Sequence, residues 1–107
     1  MLGWGVPTYD SEYIFNFLYH TRTDSYGSWN ATRYSNEEMD AMIKSLASNT
    51  DIEARNADIA TIWDMAKSDV IYLPIHHQVI NWAFSEKVDT PIDPGDSPLF
   101  RDFKVAN

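Results

Sequence analysis

The longest apolar stretch of the chain runs from Asp69 to Phe84 and lacks the periodicity of an amphipathic helix. Pro74 excludes a continuous helix here, because proline has no amide donor and clashes with the preceding turn. The Val, Ile, Tyr and Trp residues of the stretch favour extended structure. Its residues alternate between two faces from Val79 onward, and before Pro74 it is apolar on both faces, as in a buried strand. We therefore predict one long strand, bent near Pro74, at the centre of the fold.

A first helix is predicted near the N-terminus. Asp10 or Ser11 can cap it, and apolar residues at helical spacing extend it from Glu12 to about Tyr19. The segment from Thr21 to Arg33 is rich in Ser, Thr, Asn and Gly and has no periodicity, which is typical of a loop.

Two further helices are predicted in the middle of the chain. Ser35 and Glu38 have the spacing of a capping box, and the helix that follows extends to about Ala47. Its apolar positions are Met39, Met42, Ile43 and Leu46. Asp51 is the predicted cap of the next helix, which ends near Ser68. The apolar stripe of that helix consists of Ile52, Ile59, Ile62, Trp63 and Ala66. Eight of the sixteen acidic residues lie between Ser35 and Asp69, and we interpret them as the solvated faces of two antiparallel helices.

Short extended segments are predicted at both ends of the chain, at Leu2–Gly5 and Leu99–Val105. The prolines and glycine between Asp89 and Pro98 indicate an irregular loop. The predicted fold class is therefore α/β, or an α+β fragment, in which two to three helices pack on a small sheet.

Composition and charge limit the classes of partner. The 107 residues are 44% hydrophobic and 14% aromatic, which excludes a disordered chain. A net charge of −8, without any cluster of Lys and Arg, disfavours binding to nucleic acid or to an anionic membrane. No apolar run has the length of a membrane-spanning helix, and Met1–Trp4 does not look like a signal sequence. The chain has no cysteine, and this absence does not select a compartment.

Few residues suggest chemistry by themselves. His76 and His77 are adjacent on the predicted strand and should point to opposite faces, one into the core and the other to a cleft or to solvent. His20 is placed at a helix end, where the dipole favours a cation. Asp10 is either an N-cap or a contact for a polar ligand. Asn30 begins a glycosylation triplet, although such triplets are common by chance. No metal-binding motif, nucleophile motif or cofactor motif is present, and we expect no enzyme activity, no metal and no cofactor.

Five segments follow one another in the chain, namely Leu2–Gly5 with its following turn, Tyr34–Ile43, Asp51–Ala66, Tyr72–His77 and Trp82–Phe84. In this order they resemble the C-terminal part of the bacterial extracytoplasmic solute-binding proteins of the peptide/nickel class, the receptors of ABC importers. The resemblance covers nearly the whole chain. It implies a lobe like that of a periplasmic binding protein, incomplete relative to the two-lobe fold.

The resemblance also implies an organisation and a set of partners. Residues 1–79 correspond to the second lobe, with its cleft loop, helical pair and hinge strand, and residues 80–107 return to the first lobe. Met1 is followed at once by a predicted strand, which also suggests a piece of a larger protein. The implied function is capture of peptide-like solutes between two lobes, outside the cytoplasm or in the periplasm, for delivery to an ABC permease. Self-association of such a fragment through exposed apolar surface is expected.

The resemblance implies that the aromatic loop from Trp4 to Tyr9 lines the cleft and that the solute contacts are Trp4, Gly5, Thr8, Tyr9, Asp10 and His20. Dipeptide-binding members carry an Asp where this chain has Pro7. Trp4–Pro7 is closer to the loop of nickel-chelate binders, whose cleft histidine matches His20 best. The competing interpretation is a stand-alone protein-interaction module that binds its partner through exposed aromatic residues.

Overall fold

The computed structural model describes residues 2–89 and 99–105, and the predicted loop at 90–98 lies outside them. The chain divides into two units. Thr8–Pro74 forms one, and the described parts of Met1–Pro7 and Ile75–Asn107 form the other. The sequence predicted one boundary, after residue 79, and grouped residues 1–7 with the part before it. The structure instead groups the described residues of 1–7 with the C-terminal part. The assignment of the two parts to the lobes of a receptor stays a prediction.

Helix α1 spans Ser11–Ile14 and continues as a π-helical turn over Phe15–Tyr19. Asp10 is the N-cap, and its carboxylate accepts a hydrogen bond from the Glu12 amide at 2.8 Å. The predicted helix and one of its two predicted caps are therefore confirmed. The widening to a π-helical turn was not predicted.

Helix α2 spans Glu37–Leu46, and its N-cap is Asn36, whose side chain accepts from the Met39 amide at 3.0 Å. The predicted cap, Ser35, is wrong by one residue, because the Ser35 hydroxyl accepts instead from the Thr21 hydroxyl at 3.0 Å. The apolar face was predicted correctly, and its buried members are Met39, Ile43 and Leu46.

Helix α3 spans Ile52–Ser68 and packs against α2. Asp51 caps it as predicted and accepts from the amides of Glu53 and Ala54 at 3.0 and 3.1 Å. Ile62 and Ala66 are buried, whereas Ile52 is 74% exposed. The predicted apolar stripe is thus wrong at Ile52. The first turn of α3 contacts the rest of its unit through Arg55, which hydrogen-bonds to the Leu46 carbonyl and to Asp10.

Part of the core of the helical unit is an aromatic cluster between the π-helical turn and α3. The Phe15 and Tyr19 rings lie 4.8 and 5.5 Å from the Trp63 ring, centre to centre. Tyr72 packs edge-on against Tyr19 at 5.4 Å. Aromatic pairs in this arrangement add about 0.5–1.5 kcal/mol beyond the burial of their area.

The second unit contains the described strands, β1 (Val88–Asp89) and β2 (Lys104–Val105), which pair antiparallel with Val88 opposite Val105. A 3₁₀ turn at Phe100–Asp102 precedes β2, so only the end of the predicted C-terminal strand is extended. In the described residues, all α-helices belong to Thr8–Pro74 and both strands to the other unit. The helical unit therefore has no sheet of its own on which its helices pack.

The predicted central strand is wrong. Residues 71–85 belong to no helix or strand, and neither do residues 2–5. Ile71 is buried, but Leu73 is 79% exposed, which contradicts the predicted burial on both faces. The apolar pattern reflects side chains suited to a strand, but in the described residues no neighbouring strand supplies the hydrogen bonds that a strand needs.

No helix among the described residues has the length and apolarity to cross a membrane.

Val70 follows Asp69, the C-cap of α3, and its backbone conformation is unusual for a valine, with φ at +49°. The Val70 amide donates to the Lys67 carbonyl and the Ile71 amide to the Ala66 carbonyl, each at 3.2 Å. This is the Schellman arrangement, in which glycine is the usual residue at the left-handed position. A β-branched residue there is strained.

We predict that Val70→Gly stabilises the protein. Relief of the left-handed strain, about 1–2 kcal/mol, exceeds the extra entropy that glycine gives the unfolded chain, about 0.4–1 kcal/mol. A gain of about 0.5–1 kcal/mol in the free energy of unfolding is expected in urea denaturation. Val70→Ala, which removes the branching but retains a Cβ, serves as the control and should gain less. A lower unfolding midpoint for the glycine variant would contradict the strain argument.

Candidate functional site

The predicted solute-binding residues divide between the two units. Trp4 and Gly5 belong to the unit that includes Ile75–Asn107. Thr8 and Tyr9 lie next to Asp10 at the start of α1, and the Asp10 amide donates to the Thr8 hydroxyl at 3.3 Å. In the helical unit, the structure thus groups three of the predicted contacts at one point.

Tyr9 is the aromatic residue of this group, and 77% of its surface is accessible. Its backbone is left-handed, with φ at +55°. A non-glycine residue in this conformation costs of order 1 kcal/mol, and such strain is often found at functional sites. The conformation presents the ring to solvent beside the cap of α1, where it is accessible to a ligand.

Asp10 is held by two donors on the same carboxylate oxygen. The Arg55 guanidinium donates to Asp10 Oδ1 at 2.9 Å, in addition to the Glu12 amide. Arg55 Nε also donates to the Leu46 carbonyl at 3.1 Å, which links the start of α1 to the end of α2. The hydrogen bond from Arg55, followed by that from the Glu12 amide, lowers the pKa of Asp10. The N-cap interpretation of Asp10 is confirmed, whereas its contact with a solute stays a prediction.

His20 lies at the end of the π-helical turn and is only 1% exposed. Its Nδ1 lies 2.7 Å from the Thr21 carbonyl, so the hydrogen is assigned to Nδ1 in the neutral ring. Asp40 Oδ1 lies 3.5 Å from the same nitrogen, and the Tyr26 ring stacks on the imidazole at 4.5 Å. Nε2 is buried and has no hydrogen-bond partner among the described residues. The His20 side chain is thus buried in the helical unit, whereas the resemblance implies a position in a cleft, and its contact with a solute stays a prediction.

Asn30 joins the loop to the same buried region. It is fully buried, and its side-chain amide donates to the carbonyls of His20 and Tyr34 at 3.0 and 2.8 Å. Its oxygen accepts from the Thr32 hydroxyl at 3.0 Å. Both amide hydrogens are therefore used, and the side-chain nitrogen of Asn30, the acceptor atom of the glycosylation triplet, is not accessible in the folded protein.

Sequence reasoning missed two contacts that fix this loop. The Thr21 amide donates to Asp40 Oδ1 at 2.8 Å, and the Tyr34 hydroxyl donates to Asp69 Oδ2 at 2.6 Å. Burial, and then the bond to Asp69, raises the pKa of Tyr34. Each pair joins positions far apart in sequence, and no local pattern identifies such partners.

Metal binding has no support in the described residues, because no three His, Cys, Asp or Glu side chains are arranged to hold an ion. His76 and His77 are both exposed, so the prediction that one of them packs in the core is wrong. The physical reason is the absence of the buried strand on which that prediction depended.

Comparison with known proteins provides no relative. No family model matches the chain, and neither does any curated protein or solved structure.

We predict that Gly27→Ala strongly destabilises the helical unit. Gly27 has φ at +64°, and an added Cβ would lie 2.4 Å from the His20 carbonyl oxygen. Left-handed strain and overpacking together should cost about 2–4 kcal/mol in the free energy of unfolding. Gly3→Ala is the matched control, because no heavy atom lies within 4 Å of its Cβ position. Equal unfolding midpoints for the two variants would contradict the prediction.

We also predict that the Asp10–Arg55 pair stabilises the protein in a pH-dependent way. The pKa of Asp10 is lowered in the folded state, so the contribution is present above the ordinary aspartate pKa of about 3.9. It is lost as the pH falls through the folded-state pKa. A double-mutant cycle with Asp10→Asn, which retains a capping side chain, and Arg55→Gln should give about 0.5–1 kcal/mol at pH 7 and a coupling energy that declines as the pH is lowered toward 2.

The exposed pair Asp64–Lys67, at 3.3 Å, is the control for this cycle. Asp64→Asn and Lys67→Gln should show a smaller coupling energy at pH 7, because both side chains are solvated. A coupling energy for Asp10 and Arg55 that does not change between pH 7 and pH 2 would show that the ion pair is not its source.

Proposed function

We propose that the chain is the C-terminal part of an extracytoplasmic solute-binding receptor of an ABC importer, and that it helps to capture peptide-like solutes without catalysing a reaction. The observation that carries the proposal is the order of five sequence segments that resemble this family. The helices at two of them, Glu37–Leu46 and Ile52–Ser68, are consistent with it. The change of unit at Pro74–Ile75 is also consistent with a chain that passes between two lobes.

Tyr9 is the strongest candidate for a solute contact. Its exposed ring and its left-handed backbone support a binding role, because the strain is stored at a residue that contributes little to the core. Trp4 and Thr8 belong to the same aromatic loop in the resemblance. The burial of His20 is an argument against a nickel-chelate receptor, because His20 is the best match to the cleft histidine of such receptors and is not exposed. A peptide-like solute is therefore the better proposal.

A stand-alone interaction module is the second candidate function. Exposed aromatic residues such as Phe100, at 76%, support it, since aromatic side chains are enriched at protein interfaces. The two candidates differ in one respect that can be tested. A receptor requires a further lobe in the same polypeptide, whereas a module does not.

The gene sequence upstream of the Met1 codon tests the proposal directly. We expect an in-frame extension that encodes an export signal and a first lobe. An in-frame stop codon immediately before Met1, with no such extension, would overturn the receptor proposal and favour the module.

Peptide binding by the protein encoded in the whole reading frame tests the role of Tyr9. In isothermal titration calorimetry with di- to pentapeptides, Tyr9→Ala should weaken binding at least about tenfold, the equivalent of 1.4 kcal/mol. Phe100→Ala is the matched control, because Phe100 is an aromatic residue of nearly equal exposure. Unchanged affinity in Tyr9→Ala, with Phe100→Ala also unchanged, would exclude Tyr9 as a solute contact.

A further inference from the structure

Arg55 connects the start of α1 to the rest of the helical unit. Its Nη2 donates to Asp10 Oδ1 at 2.9 Å, and its Nε donates at 3.1 Å to the carbonyl of Leu46, the last residue of α2. The first of these bonds joins residues 45 positions apart in sequence. The guanidinium is a rigid planar fork, so two acceptors in different elements fix its orientation. Arg55 therefore ties the loop before α1 to both α2 and α3.

Asp10 transmits this connection to Tyr9. The Glu12 amide also donates to Asp10, at 2.8 Å, but it belongs to the same end of α1 and moves with it. The Asp10 amide donates to the Thr8 hydroxyl at 3.3 Å, so Tyr9 lies inside a small loop closed by that bond. Arg55 supplies the hydrogen bond from a distant part of the chain that holds this loop in place.

Tyr9 needs such an anchor because its conformation is strained. Its φ is +55°, and 77% of its surface is exposed. An exposed ring gains little from burial that could oppose the strain, and a strained conformation persists only where the surrounding structure determines it. Without the anchor, the backbone of Tyr9 relaxes out of the left-handed region and the ring changes direction. The placement of Tyr9 therefore depends on Asp10 and Arg55.

We propose that Arg55 is a positioning residue for solute binding, because it holds Tyr9 in the strained, exposed conformation of the candidate solute contact. This inference rests on the proposed function and adds to it a residue that acts through Asp10 and Tyr9. The apparent affinity of a ligand scales with the fraction of the protein in the binding-competent conformation. Loss of Arg55 lowers the affinity by reducing that fraction.

Nitrogen-15 relaxation of the 107-residue chain tests the positioning role without any solute. In the wild type, the Tyr9 and Asp10 amides should have order parameters of about 0.85, as in rigid backbone. In Arg55→Gln they should fall below about 0.6 or show new microsecond-to-millisecond exchange. Lys67→Gln is the control, because Lys67 belongs to the same helix and pairs with Asp64 in an exposed position, and it should change neither amide. Unchanged order and exchange in Arg55→Gln would overturn the proposal.

Asp10→Ser separates positioning from a general loss of stability. Serine retains an N-cap oxygen but lacks the carboxylate that Arg55 binds. The Tyr9 amide should therefore lose order as in Arg55→Gln, while Arg55 keeps its bond to the Leu46 carbonyl. Adding Arg55→Gln to Asp10→Ser should change the Tyr9 amide no further, and circular dichroism checks that α2 and α3 remain folded. A further loss in the double variant as large as that in Arg55→Gln alone would show that Arg55 does not act through Asp10 and would overturn the proposal.

Peptide binding by the protein encoded in the whole reading frame tests the consequence. In calorimetry with di- to pentapeptides, Arg55→Gln should weaken binding about three- to tenfold, because the strain of Tyr9 is then no longer opposed. Lys67→Gln should bind like the wild type. Unchanged affinity in Arg55→Gln would overturn the role of Arg55 in binding. Absence of binding by the wild type would instead contradict the proposed function, and the relaxation measurements would still decide whether Arg55 positions Tyr9.

Discussion

The carbonyl groups of the π-helical turn Phe15–Tyr19 must find donors outside the helix, and the rest of the helical unit depends on how they do so. The loop that follows returns across the turn, and the amides of Gly27 and Trp29 donate to the carbonyls of Asn16 and Phe17 at 2.8 and 3.0 Å. This return requires the left-handed backbone of Gly27, because a Cβ there would collide with the main chain. Buried carbonyls without donors would each cost about 1–3 kcal/mol.

The aromatic cluster and this backbone network stabilise each other. Phe15 and Tyr19 reach Trp63 from within the π-helical turn, and the turn holds its shape because the loop satisfies its carbonyls. Tyr72, beyond α3, adds a hydroxyl that donates to the Leu18 carbonyl at 3.4 Å. Hydrophobic burial in this unit therefore depends on a polar scaffold that brings together segments distant in sequence.

The sequence predicted correctly those features that depend on residues close in sequence. It did not predict features that depend on contacts between residues distant in sequence. The caps Asp10 and Asp51 bond to amides two or three residues away, so the local sequence suffices to identify them. Asn36 replaced Ser35 as a cap because Thr21, far away in sequence, engages the serine hydroxyl. The same distinction explains which properties of the candidate site residues the sequence could predict. The exposure of Tyr9 follows from a loop position, but the burial of His20 depends on Tyr26, Asn30 and Asp40, which no local pattern connects. The segment Ile75–Phe84 has the side chains of a strand, yet side chains alone do not provide a neighbouring strand.

The complete burial of Asn30 determines when this residue can deamidate. Deamidation would replace the donating amide of this residue by a carboxylate oxygen facing the carbonyls of His20 and Tyr34, which already accept from it. The folded state protects the residue, because attack by the next backbone nitrogen needs freedom that a fully buried side chain lacks. Transient opening of the loop therefore exposes Asn30 to deamidation, and the resulting aspartate or isoaspartate would oppose closure of the loop, because an ionised carboxylate cannot donate to the carbonyls of His20 and Tyr34.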